Sequence, residues 1–268
     1  MGLILHQPAQ MSAELSDPGR ALALWNTLAP HRGSDGEHPV RATFITALDG
    51  AVTAGGASAG LGTDMDQAVF HGMRARAGTI LVGAATARHE GYGPATVLPA
   101  LSHLRSQDAP AAVWMVSRAL RREDVDHIAG AKNAASEDAG PMSLVVPDVG
   151  AESELRSYAA SCGVDVRLVP GDLDGFLPGA VDLARRENGG EIDCEGGPRL
   201  LEALLRAGLL DELVLSMSPH LYFPADVHLL PRPSGADMHS WQRRLRVVSA
   251  FSSDDGGLYT RWTVDPDA

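Results

Sequence analysis

Apolar positions along the chain follow two periods, and their alternation sets out the expected elements. Residues 40–47 (VRATFITA) are β-branched and aromatic enough to predict a strand, which Leu48-Asp49-Gly50 ends in a turn. Thr63-Asp64 caps an amphipathic run, DMDQAVFHGMRARA, with Gly78 expected as its C-terminal glycine. Residues 79–82 read as a short buried strand, and Gly83-Ala84-Ala85-Thr86 turns at once into another helix. Residues 113–116, 144–146 and 164–169 predict further strands, with a helix over 152–161. An amphipathic helix over 177–186 leads into EIDCEGGPRLLEALL, residues 191–205. That stretch starts as a strand, breaks at Gly196-Gly197, and restarts as a helix. Pro198 takes the first helical position, and Leu200, Leu201, Leu204 and Leu205 lie along one face. A strand over 213–218 follows. Residues 244–253 and 258–264 alternate around Asp254-Asp255-Gly256-Gly257, a hairpin signal.

The succession β-α-β-α with a closing hairpin predicts an α/β fold. It would have a mostly parallel sheet, helices on both faces and an antiparallel C-terminal hairpin at the edge. Ligands of such sheets bind beyond the carboxyl ends of the strands, where Asp49, Gly83, Ser117 and Glu195-Gly196 all fall. Residues 1–38 read as an extension with one helix at GRALALWNTLA, and residues 39–268 as a single domain.

Composition removes several classes of partner. Acidic side chains outnumber basic ones 34 to 22, a formal charge of −12, and no basic run exists, so neither nucleic acid nor an anionic membrane is an expected partner. No apolar run approaches the ~20 residues that span a bilayer. Cys162 and Cys194 read as reduced thiols of a cytoplasmic protein, and ten scattered histidines offer no metal spacing.

Two strand–glycine–helix junctions carry the candidate chemistry. At a helix start, free N–H groups and the helix dipole favour an anion, and glycine lets a ligand approach the backbone. Taken singly, each feature also has a plain reading: a tight turn at Gly196-Gly197, a cap at Thr86, a turn residue at Asp49, a helix-end cation at Arg74.

Four phrases in order change that balance: FITALDG (44–50), RARAGTILVGAATA (74–87), CEGGPRLLEALLRAGLLDEL (194–213) and the final hairpin. Together they resemble the RibD C-terminal family, the pyrimidine reductase domain of riboflavin biosynthesis, over residues 40–264. The resemblance implies a three-layer α/β/α, dihydrofolate-reductase-like mixed sheet, a homodimer, and NADPH as cofactor. Its acceptor would be 5-amino-6-(5-phosphoribosylamino)uracil or a related pyrimidine. It also implies site residues. Asp49, Ser58, Arg74 and Glu195 would meet the substrate, with Asp49 and Glu195 closest to the chemistry. Ile45, Gly60, Gly83, Thr86, Glu90, Ser117, Gly196, Gly197, Pro198, Arg199, Leu200 and Leu201 would meet the cofactor, and no metal is implied.

Three positions depart from the family pattern. Thr43 stands where a lysine is usual. The loop Gly91-Tyr92-Gly93-Pro94-Ala95-Thr96-Val97 lacks the arginine that usually clamps a substrate phosphate, and Ala85 replaces a glycine at the second junction. The cofactor half of the expected site is therefore better preserved than the acceptor half. A dihydrofolate or pterin reductase and a non-catalytic nucleotide-binding protein are the competing readings.

Overall fold

The computed structural model describes residues 38–265, apart from 106–108, 150, 173–174, 224, 226 and 231–240. The helix expected in the N-terminal extension lies outside the described residues.

Nine strands form one sheet in the order β5-β4-β3-β2-β6-β1-β7-β9-β8. They are β1 (Val40–Ala47), β2 (Ala77–Gly83), β3 (Ala112–Val116), β4 (Met142–Pro147), β5 (Asp165–Val169), β6 (Glu191–Gly196), β7 (Glu212–Ser218), β8 (Leu245–Ser252) and β9 (Leu258–Val264). Pairing is parallel from β5 through to β7, and β9 runs antiparallel to both β7 and β8. The expected mixed sheet and C-terminal hairpin are both present. What the linear pattern does not contain is the neighbour order: β1 is central, between β6 and β7, and β6 separates it from β2.

Among the described residues, six α-helices connect these strands: α1 (Asp64–Arg76), α2 (Ala84–Glu90), α3 (Arg122–Ala134), α4 (Ser153–Ser161), α5 (Phe176–Asn188) and α6 (Pro198–Arg206). Among the described residues, no helix is long and apolar enough to cross a membrane. Helices α5 and α6 pack on one sheet face against Val40, Ala42, Leu81, Trp114 and Ile192. The four leucines of α6 are buried there, each contributing roughly 1.5–3 kcal/mol. On the opposite face, α3 and α4 bury Val125, Ile128 and Ala159 against Ile80, Val113 and Leu144.

Helix α1 begins as expected, with the Thr63 hydroxyl accepting the Asp66 N–H at 3.2 Å. That hydroxyl also meets the Tyr259 hydroxyl of β9 at 2.7 Å, tying the helix start to the hairpin. Thr63→Ala is expected to lower stability by about 1 kcal/mol, read from urea unfolding. The helix ending differs from expectation. Helix α1 stops at Arg76, Ala77 is already extended, and Gly78 lies inside β2. The chain passes from helix to strand with no glycine cap because Ala77 pairs at once with Glu191 of β6. Helix α3 is absent from the sequence reading. It has two strongly apolar buried positions, an interior glycine and no capping side chain, so its local signal is weak.

Candidate functional site

The two strand–glycine–helix junctions come together. Val82 of β2 pairs with Gly196 of β6, so α2 and α6 start side by side at the carboxyl end of the sheet. Thr86 is seated directly on the glycine pair. A Cβ at Gly197 would stand 2.2 Å from Thr86 Oγ1, and one at Gly196 would stand 3.3 Å from Thr86 Cγ2. Gly83 completes the contact, since a Cβ there would lie 3.4 Å from the Gly197 nitrogen. Gly196 has φ of +143°, which a side chain would strain, and the Gly196–Gly197 peptide is cis. Both glycines are therefore required by their surroundings. Ala85 has negative φ and an exposed side chain, so it fits its place without strain.

In α6, Pro198 has no N–H, and Leu200 and Leu201 both donate to the Gly197 carbonyl at 2.9 and 3.1 Å. Arg199 thus supplies the backbone donor of that first turn. Leu200 and Leu201 have their side chains in the core, leaving only their backbone at the junction.

Beside the glycines, Glu195 is clamped by Arg74. Arg74 Nε donates to Oε1 at 2.7 Å and Nη2 to Oε2 at 2.6 Å, a two-pronged bond from the last turn of α1 to the end of β6. The Arg74 guanidinium lies over the Phe70 ring at 4.3 Å and faces Tyr92 at 5.4 Å. Burial alone would lower the Arg74 pKa, but the Glu195 carboxylate outweighs it and raises it. The Tyr92 hydroxyl is held protonated, first by burial and then by the charge of Glu195, to which it hydrogen-bonds. His71, on the same helix, is pushed down by burial and by Arg74. The sequence offered Arg74 as a partner for a substrate anion and Glu195 as a substrate acceptor. In the fold each takes the other, and the Glu195 side chain is fully covered.

Below that pair runs a buried ionic ladder. Glu191 accepts from Arg41 Nη1 at 2.6 Å and from Arg76 Nε at 3.1 Å. Arg41 Nε donates to Glu212 at 2.8 Å, and Glu212 also accepts from Arg261 Nε at 2.5 Å. Burial would raise the pKa of Glu191 and Glu212, yet the guanidiniums beside them hold both below the usual range.

The remaining expected residues are placed as follows. Ile45 is the only half-buried residue of β1. Asp49 is exposed in the turn after β1, where Gly50 donates to the Ala47 carbonyl at 2.9 Å. Ser58 and Gly60 form a short 3-10 turn, and the Ser58 N–H donates to Glu90 Oε1 at 3.0 Å, joining an expected substrate residue to an expected cofactor residue. Ser117 is buried after β3 and its hydroxyl serves Asp124, the partner of Arg88. The fold thus already occupies the Ser117 side chain.

Sequence reasoning missed Asp193, Tyr92 and the ladder. A signal was present in EIDCEG: acids at 191, 193 and 195 recur with period two, which places three carboxylates on one face of a central strand.

The likeness to known proteins bears on the family and the fold. The model of the RibD C-terminal domain matches residues 39–222. A pyrimidine reductase-like protein from Corynebacterium diphtheriae superposes with a TM-score of 0.72 at 25% identity, over 85% of this chain and 92% of that one. RibD of Acinetobacter baumannii gives a TM-score of 0.63 at 18% identity, over 87% of this chain and 59% of that longer one. The riboflavin biosynthesis reductase Rib7 of Saccharomyces cerevisiae gives 0.56 at 13%, over 91% and 98%. At such identities the last two speak to the fold alone. No curated protein matches the chain. The nine-stranded, mostly parallel sheet with its antiparallel C-terminal strands is the mixed α/β architecture expected, and the match over residues 39–222 assigns the chain to the RibD C-terminal domain family.

Proposed function

We propose that the chain is an NADPH-dependent reductase of a pyrimidine, with 5-amino-6-(5-phosphoribosylamino)uracil as the leading acceptor. The observation that carries this reading is the Thr86 side chain seated on Gly196-Gly197, which joins the two strand–glycine–helix junctions next to Arg74–Glu195. A pyrophosphate suits such a junction, because the Thr86 hydroxyl stands beside the start of α6, where a free backbone N–H and the positive end of the helix dipole favour an anion. The bound cofactor supplies the hydride, and the protein's task is to orient, shield and manage the proton. Gly83, Thr86, Gly197 and the Arg199 N–H would hold the phosphates, and Ile45 would also meet the cofactor. Asp49 and Ser58, at the same end of the sheet, would meet the acceptor. Arg74 would present a positively charged edge whose orientation Glu195 fixes. Homodimeric assembly and a cytoplasmic location belong to the same reading.

The test follows NADPH absorbance with the phosphoribosylamino-pyrimidine and, separately, with dihydrofolate. Oxidation with the first and none with the second is the expected result. Oxidation with dihydrofolate instead would move the acceptor to a pterin. Tight NADPH binding without oxidation of either kind would favour a non-catalytic nucleotide-binding protein.

A further inference from the structure

Helix α2 is short, and four of its side chains reach other parts of the fold. Thr86 is seated on Gly197, Arg88 pairs with Asp124 of α3, and His89 and Glu90 both reach the loop between β1 and α1. Glu90 Oε1 accepts the Ser58 N–H at 3.0 Å, and the His89 ring donates from Nε2 to the Gly56 carbonyl. A carbonyl only accepts, so that bond requires the His89 proton on Nε2. The helix end is itself fixed. Gly91 takes a left-handed φ of +70°, and the Tyr92 N–H donates to the Ala87 carbonyl at 2.8 Å.

The tip of that loop has little else to hold it. Gly55 and Gly56, both at positive φ, make a two-residue turn, and Ala54 and Ala57 on either side exchange hydrogen bonds at 2.9 and 3.4 Å. Nothing stands within 4 Å of where a Cβ would project from either glycine. Farther along, Leu61 is buried in one cluster with Ala47 and Ala51. Among the described residues, the hydrogen bonds that reach 55–58 from outside the loop are the two from α2. Glycine-rich chain loses the most conformational freedom on ordering, so these two bonds decide where Ser58 sits. Thr86 and Glu90 are four residues apart, on one helix face and about 6 Å apart along the axis. The face that rests on the glycine pair is thus the face that holds Ser58.

We propose that Glu90, seconded by His89, is a positioning residue of the acceptor loop: it fixes Ser58 one helical turn from the glycine junction and does not itself touch the cofactor. The inference rests on the reductase reading, in which Ser58 meets the acceptor while Thr86 and Gly197 meet the cofactor. It reassigns Glu90, which the family resemblance placed among the cofactor residues. Its consequence is geometric. The two halves of the site are indexed to each other through one face of α2, so the acceptor meets a loop that is already in place. A loop in place only about one tenth of the time lowers the apparent affinity for its ligand by that same fraction and leaves the saturated rate unchanged.

Amide exchange over residues 55–60, read by NMR on the whole protein without any ligand, tests the positioning directly. Glu90→Ala is expected to speed exchange at Ser58 about tenfold or more, the loss of one hydrogen bond to a charged group. Glu90→Gln keeps an oxygen that accepts, so it should restore most of the protection, and His89→Ala should give a smaller rise. Unchanged exchange at Ser58 in Glu90→Ala would overturn the inference whatever the enzyme does. In a fluorescence titration, the NADPH Kd of Glu90→Ala should stay within about twofold of wild type, and a weakening of about tenfold would make Glu90 a cofactor contact and overturn the inference too. In turnover, KM for the phosphoribosylamino-pyrimidine should rise about tenfold in Glu90→Ala with kcat held, and Glu90→Gln should recover it. A fall in kcat with KM unchanged would count against a loop-positioning role. A wild type that neither binds nor oxidises NADPH would sink the reductase reading and the acceptor role with it, while exchange at Ser58 still decides whether Glu90 holds the loop.

Discussion

Gly197→Asp is expected to weaken NADPH binding at least about a hundredfold, or about 2.7 kcal/mol, in a fluorescence titration. Two effects add at this position. A Cβ at Gly197 would stand 2.2 Å from Thr86 Oγ1, so any side chain must displace the residue that seats the two junctions together. A carboxylate there would also put like charge against the expected pyrophosphate, at the positive end of α6. The double variant Gly197→Ala with Thr86→Ala separates the two effects, because it removes the collision without adding charge. Its binding should be weakened less than that of Gly197→Asp. Thermal unfolding of each variant checks that the fold survives. Wild-type affinity in Gly197→Asp would place the pyrophosphate elsewhere.

Arg41→Met is expected to cost about 3–5 kcal/mol of stability, because it strands two buried carboxylates. Arg41 is 1% exposed and bridges Glu191 at 2.6 Å and Glu212 at 2.8 Å. Methionine fills much of the volume but carries no charge, so the loss reflects the broken ion network more than a cavity. Arg76 and Arg261 remain to each side and temper the effect. Adding Glu212→Gln to Arg41→Met should recover part of the loss, as a double-mutant cycle in urea can read. The pH dependence has a definite sign. Glu191 and Glu212 are held below their unfolded values, so their contribution is present above the ordinary carboxylate range. It is lost as pH falls through their lowered folded values. In Arg41→Met that acid loss should be smaller. A cost under about 1 kcal/mol would mean that the ladder's attraction barely offsets its desolvation.

Short-range pattern in the chain determined the elements. Period-two runs, the Thr63 cap, Pro198 and the Asp254–Gly257 turn act within a few residues, so each could be read locally and each is present. The places where that reading slipped are local signals that tertiary pairing overrides or that are weak in themselves. Gly78 is drawn into β2 by the pairing of Ala77 with Glu191, and α3 depends on packing against the sheet for its stability.

The site divides along the same line. The glycine junctions and the acid-x-acid-x-acid alternation of β6 stand in the sequence, but their partners do not. Arg74 reaches Glu195 across 121 positions, Arg76 reaches Glu191 across 115, and Arg41 and Thr43 reach β6 across 150. Those contacts follow from the insertion of β6 between β2 and β1, a choice of neighbours that no local period encodes. By itself the sequence determined an α/β chain with two anion-ready helix starts and a carboxylate beside one of them. Only the tertiary structure decided that the two starts touch through Thr86, that Arg74 is committed to Glu195, and that Asp193 is left dry with one oxygen unpaired. The physical reason is that hydrogen bonds and ion pairs depend on distance in space, and the central strands bring together groups that lie more than a hundred residues apart.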